Sequence, residues 1–360
     1  MEERQRDVLP DVLKGFGIFL VVLGHCIQSG SGLEYLARAG YFYDQWYQFI
    51  YSFHMPLFMV ISGYYAWNSV QRANTSQDRK KMIKKKCIYL ITPNIAWKLI
   101  ELVYLFVTDT YYRGFDVLLK DFFIGSLTNF WFLWAVLYSF LLVCLMHYKL
   151  RDSVWIYILI FMAMFFTPDG MGLNAYKYML PYYLIGFYVN KNWERLSSTR
   201  LFQEIFHGGR LKAGLTLLVS GIVFITLASF FTADSFIYLT GYKLIGKNYI
   251  VQLQIDGYRF LVGFCGIVFW ILTWRALLGL RGKWDYGAQL LAYLGRRGLG
   301  IYIISGYLVL HVVHPITVDW EPQYGVNLAE TALVLLVSVA IVEAMRRMKW
   351  LCLLVGEAQR

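Results

Sequence analysis

The chain has 360 residues, of which 58% are hydrophobic, 18% aromatic and only 16% charged, against roughly 25% charged in soluble domains. With apolar runs recurring at close to the ~20 residues that cross a bilayer core, this excludes a soluble globular protein and points to an all-α, polytopic membrane protein. The formal net charge of +11 does not imply a nucleic-acid partner. The basic residues sit in short segments between apolar runs, where they fix topology.

Taken in order, about ten spans are predicted, near 12–29, 46–70, 87–107, 129–147, 153–168, 175–190, 212–231, 251–275, 293–314 and 327–345. An even count puts both termini on one side. That side also receives Lys14, the basic residues from Arg72 to Lys86, Lys149, Arg151, Arg296, Arg297, Arg346, Arg347 and Lys349. The other side holds Arg38, Arg113, Lys120, Lys177, Lys243, Lys247 and Arg259. The asymmetry makes both termini cytoplasmic. Arg4 and Arg6 ahead of the first run resemble a signal peptide, but no small-residue cleavage motif follows, so the helix is expected to stay as a span. No loop approaches the length of a second folded domain and no internal repeat is present, so residues 1–360 read as one membrane domain.

The first span carries Asp11, Lys14 and His25 in DVLKGFGIFLVVLGH. At about 100° per residue, the step from Lys14 to His25 is three turns plus about 20°, and Asp11 lies one turn below Lys14. All three share one stripe, with His25 about 16 Å further along the axis. Ionisable groups in hydrocarbon are costly and mark functional sites. An imidazole with a near-neutral pKa can take a proton from an attacking hydroxyl. The plainer alternatives are a histidine that hydrogen-bonds a neighbouring helix and a lysine that snorkels to the interface.

The second span contains FHMPLFMVISGY from Phe53 to Tyr64. Pro56 is expected to kink it. His54 precedes the kink at a depth comparable to His25, so two histidines on consecutive helices can share a site; a structural bond to a carbonyl freed by the proline is the alternative. Next comes a basic run with Arg79, Lys80, Lys81, Lys84, Lys85 and Lys86, which suits either anionic lipid or a phosphorylated donor on the cytoplasmic side. Trp131 and Trp134 open the fourth span, as an interfacial belt or as walls for a sugar. Asp256 and Arg259, one turn apart at the outer start of the eighth span, form an ion pair or an acceptor-binding pair. The five cysteines, Cys26, Cys87, Cys144, Cys265 and Cys352, show no CxxC or His-Cys ligand spacing. They read as small apolar side chains, with no disulfide framework and no metal site.

At these residues the sequence resembles acyltransferase family 3, the integral-membrane O-acyltransferases of bacterial surface glycans, and within it the fucose 4-O-acetylase-related branch. The opening D-x-x-R/K-x10-H signature is matched by Asp11, Lys14 and His25, and the FHMPLF-x3-SGY block by Phe53 to Tyr64. Weaker matches are the basic run Lys84 to Lys86 leading to Pro93, the WFL of Trp131 to Leu133, and YYLIGF from Tyr182. The resemblance covers the whole chain.

It implies acetyl-CoA, or another acyl-CoA, as donor from the cytoplasmic side. The acceptor would be a sugar hydroxyl of a surface polysaccharide or its lipid-linked precursor. The setting would be the inner membrane of a bacterium, among polysaccharide-biosynthesis machinery. His25 would be the catalytic imidazole, Lys14 its basic partner, and Lys84 to Lys86 the binders of the CoA phosphates. Two departures stand out. Lys14 replaces the arginine of many relatives, so a bidentate guanidinium grip is absent. The family's LGRNSL-x-IYL-x-H-like block reads LGRRGLGIYIIS from Leu294, with Gly298 for a hydroxyl residue and Ser305 in the histidine position.

The expected chemistry is direct attack on the thioester with His25 as base, since no G-x-S-x-G nucleophile motif is present. Two readings of other classes remain. A transporter or flippase of a glycan or lipid intermediate would favour repeated halves with interrupted helices. A non-catalytic partner in a polysaccharide synthase would tolerate loss of His25.

Overall fold

A computed structural model describes residues 7–29, 39–107, 114–207, 209–279, 285–317, 320 and 323–356. Arg4, Arg6, Arg38 and Arg113 of the topology argument lie outside the described residues. Among the described residues every regular element is helical. In chain order these are α1 (Leu9–Ser29), α2 (Gln45–Tyr51), α3 (His54–Val70), α4 (Ser76–Val107), α5 (Phe115–Thr128) and α6 (Trp131–Lys149). Then come α7 (Val154–Phe166), α8 (Leu173–Lys191), α9 (Trp193–Ser197), α10 (Arg200–His207), α11 (Gly209–Ala228) and α12 (Ile237–Thr240). Last are α13 (Tyr249–Gly279), α14 (Asp285–Arg296), α15 (Gly298–Leu308), a π turn (Val309–Val313), α16 (His314–Thr317) and α17 (Tyr324–Arg347).

Seven stretches among the described residues are long and apolar enough to cross a membrane: Leu9–Gln28, α4, α6, α11, α13, Gly298–Thr317 and α17. The apolar α7 is shorter. The expected second span is divided into α2 and α3. Pro56 does not kink it; it lies in the first turn of α3, where its missing N–H costs little. The expected ninth span is divided too, because the chain breaks at Arg297 between α14 and α15. The helix α5 was absent from the predicted spans. At 32 residues, about 48 Å, α4 outruns a hydrocarbon core of ~30 Å. Its basic first turns therefore project beyond the core, and they begin at a reciprocal cap in which Thr75 and Asp78 bond each other's side chain and amide.

The chain divides into two compact units. The first comprises 1–61, 191–236 and 257–343. In it α1 packs against α14, α15, the π turn and α2. Gly15 abuts the Leu291 carbonyl, and Gly295 abuts the Asp11 carbonyl. The two contacts run in opposite chain order, so α14 passes antiparallel to the start of α1. Glycine permits this approach because any side chain would hold the backbones apart. An aromatic core follows, with Phe16 on Trp270 at 4.3 Å and Phe53 edge-on to Phe224 at 5.4 Å between ring centroids.

The second unit comprises 62–190, 237–256 and 344–360. There α4 packs on α5 and α6, and Gly63 of α3 lies against the Tyr183 carbonyl of α8. Lys98, buried in α4, pairs with Glu101 at 3.2 Å, and Asn129 donates to the same carboxylate at 2.9 Å. Between α7 and α8, Asp169 accepts from the Lys177 ammonium at 2.9 Å and from the amides of Tyr242 and Lys243 at 2.8 and 2.9 Å.

Candidate active site

Helix α1 is continuous across Asp11, Lys14 and His25, which keeps all three on one stripe. Asp11 is buried, and its Oδ1 accepts from Lys14 Nζ at 3.2 Å. Lys14 therefore starts from a neutralising partner one turn away, which lowers the cost of its depth in the span. Further along α1, His25 is half-buried while Gly24 and Cys26 on either side are buried. Gln28, one turn on, is within side-chain hydrogen-bonding range of the ring.

His54 is 1% exposed and close enough to His25 for the two rings to interact electrostatically. Its Nδ1 lies 2.7 Å from the Ile50 carbonyl. A carbonyl only accepts, so Nδ1 carries the proton and Nε2 is left as the basic atom. Tyr51 meets the same ring edge-on at 4.6 Å. The two imidazoles thus lie within electrostatic range of each other, and His54 is tied to the Ile50 carbonyl of α2 rather than to one freed by Pro56.

Sequence reasoning missed Glu330. It lies on α17 with both carboxyl oxygens buried and, among the described residues, without a hydrogen-bond partner. The Thr331 hydroxyl donates to the Asn327 carbonyl at 2.7 Å and so accepts from the Cys26 thiol, with which it is hydrogen-bonded. Glu330 is within electrostatic range of that thiol. This links α17 to the turn of α1 that bears His25. Buried carboxylates without partners are rare and call for an explanation.

The basic run separates into two groups in the second unit. Lys85 and Lys86 line a cavity of about 450 Å³ together with Arg72 and Lys81. Lys84 points elsewhere and is exposed. Arg79 lines a different cavity, of about 380 Å³, with Trp67, His147 and Tyr148.

The other expected residues have local duties. Trp134 donates its indole N–H to the Ser126 carbonyl at 2.9 Å, and Trp131 meets Tyr238 edge-on at 6.2 Å. Asp256 accepts from Gln252 at 3.2 Å through both oxygens. Arg259 is 1% exposed and belongs to the other unit. Ser305 is fully buried and donates to the Tyr302 carbonyl at 3.3 Å. All five cysteines are free, and no group of three or more His, Cys, Asp or Glu able to hold a metal occurs among the described residues.

The chain is similar to "Nodulation protein NolL" of Sinorhizobium fredii, 32% identical over 198 residues, which is 54% of this chain and 52% of that one. It is also similar to "Nodulation protein NolL" of Mesorhizobium japonicum, 29% identical over 185 residues, or 51% of this chain and 47% of that one. The chain spans about half the length of these curated relatives. No solved structure matches. A family model described as "Acyltransferase domain" matches residues 8–345, a stretch that takes in α1 and its histidine as well as Glu330. By that match the chain belongs to the acyltransferase family 3.

Proposed function

We propose that the chain is a membrane O-acyltransferase whose spans form one catalytic domain. It would transfer an acyl group, acetyl from acetyl-CoA, to a sugar hydroxyl of a bacterial surface polysaccharide or its lipid-linked precursor. Family membership supports the reaction class. The observation that carries the mechanism is His25 at the end of a polar stripe, shared with Asp11 and Lys14, in an otherwise apolar helix.

In this reading the His25 imidazole takes the proton of the acceptor hydroxyl as the oxygen attacks the thioester carbonyl. The C–O bond forms, the C–S bond breaks, and the proton passes from the imidazolium to the departing thiolate. His54 supports the site through its unprotonated Nε2. Glu330, a buried acceptor without a hydrogen-bond partner among the described residues, receives a hydrogen bond from the sugar. Lys14, held by Asp11, presents positive charge at the cytoplasmic end of the same stripe. The basic cavity holds the CoA phosphates, and Trp131, Trp134, Asp256 and Arg259 are carried as contacts for the acceptor. The setting is the inner membrane, beside the enzymes that build the glycan.

The test supplies labelled acetyl-CoA and a lipid-linked glycan to the full-length protein in lipid nanodiscs. Label enters the glycan with the wild type and falls by about two orders of magnitude or more in His25→Ala. Mass spectrometry of the host's surface glycan, with and without the gene, identifies the ester. Full activity of His25→Ala, or an unchanged ester content on deletion, overturns the proposal. Glycan translocation that survives His25→Ala would favour a flippase.

A further inference from the structure

The cavities of about 450 and 380 Å³ flank the turn that joins α3 to α4 and share Ala73. The larger carries four basic side chains and the smaller a single one, Arg79, beside the His147 imidazole. The larger is lined by Arg72, Lys81, Lys85 and Lys86 and reaches inward to Phe140, a residue of α6 that is 1% exposed. The smaller is built differently. Arg79 lies over the Tyr148 ring at 4.2 Å and donates to the carbonyls of Ala73 and Asn74 at 3.2 Å each. These bonds fix the guanidinium and leave three of its five N–H donors outside them. Beside it, His147 Nδ1 bonds Asp152 at 2.8 Å, and Asp152 accepts from Tyr188 at 2.8 Å. The ring atom left for the cavity is Nε2, which donates to an anion when protonated.

A single cradle for a polyphosphate would need one cluster of cations. Here two basic groups stand on either side of one turn, one of four side chains beside Phe140 and one of a fixed guanidinium with an imidazole and the Trp67 indole. An acyl-CoA has the matching layout. Its pyrophosphate leads to the pantetheine arm, and a separate phosphate sits on the ribose 3′ position. We infer that the smaller cavity seats the ribose 3′-phosphate and the larger one the pyrophosphate, an assignment that rests on the acyl-CoA reading above. Arg79 and His147 are then specificity determinants for 3′-phosphorylated donors.

Equilibrium binding of CoA and of 3′-dephospho-CoA to the full-length protein in nanodiscs tests this. The wild type binds CoA about tenfold or more tightly than the dephospho form, as expected for charge-assisted hydrogen bonds. In Arg79→Gln and His147→Gln that ratio falls toward one, whereas Lys81→Gln weakens both ligands alike. Arg79 also ties down the turn; His147→Gln leaves those bonds in place and serves as the second variant. A wild-type ratio near one, or a ratio unchanged in both variants, overturns the assignment while leaving CoA binding intact. If neither nucleotide binds, the donor reading itself fails and the assignment falls with it.

Discussion

Gly15 of α1 and Leu291 of α14 meet with no space between them: a methyl added to the glycine would overlap the leucine's carbonyl. Gly15→Ala must therefore push two backbones apart, at about 1–3 kcal/mol by analogy with overpacked cores. Gly306, on α15, has nothing within 4 Å of an added methyl, so Gly306→Ala should be neutral or gain up to about 1 kcal/mol from helix propensity. Thermal unfolding in detergent compares the two. Equal behaviour would remove the close-packing argument for α1 and α14.

Glu330 predicts opposite movements in stability and activity. Its carboxyl oxygens are buried without a partner among the described residues, a desolvation cost of about 1–3 kcal/mol. Glu330→Met should raise the melting temperature and lower acyl transfer by about tenfold or more, the pattern expected where a site holds a destabilising group for function. A variant that gains stability and keeps full turnover would make Glu330 a bystander.

The Lys98–Glu101 pair should behave as a unit. Lys98 is 8% exposed in α4, so Glu101→Leu strands a buried charge at about 3–5 kcal/mol. The double variant Lys98→Met/Glu101→Leu should recover most of that loss. A double-mutant cycle by chemical or thermal unfolding reads the coupling, and simple additivity would refute it.

Asp169 gives the acid limb of the stability profile. Burial pushes its pKa up, but the Lys243 and Tyr242 amides and the Lys177 ammonium outweigh this and hold it below the ordinary 3.8. A depressed folded pKa means that the contribution is complete above the unfolded value and is lost as pH falls through the folded one. The wild-type melting temperature should therefore drop below about pH 4. Asp169→Asn should be less stable at neutral pH and flatter in that acid window. An acid slope identical in both proteins would show that other carboxylates set it.

What the sequence disclosed followed from periodicity. Asp11, Lys14 and His25 were legible because a continuous helix fixes their shared face. The neighbouring histidines were legible because depth along two consecutive spans can be counted. Glu330 was not, since one carboxylate near the end of an apolar helix reads as an interfacial residue until its neighbours are known. The break at Arg297 was hidden because the Arg296–Arg297–Gly298 stretch sits inside a longer apolar run and reads as the basic edge of a single span. The split of the basic run was hidden as well: charge in sequence says nothing of which side of a turn each cation takes, and Arg79 is drawn away by two carbonyls.

The π turn Val309–Val313 has a consequence for the chain's tolerance of deletion. Such a turn holds one residue more than regular α geometry would over the same rise. Excising Val312 would let the backbone close into an ordinary helix over the same rise, so the segment beyond would keep its phase. The stacked rings of Tyr307 and His311, 5.8 Å apart, lie before the excision and would stay in register. The surplus residue is thus an insertion that the helix absorbs locally. Homologous chains one residue shorter here would offer α1 the same set of side chains from the same helix.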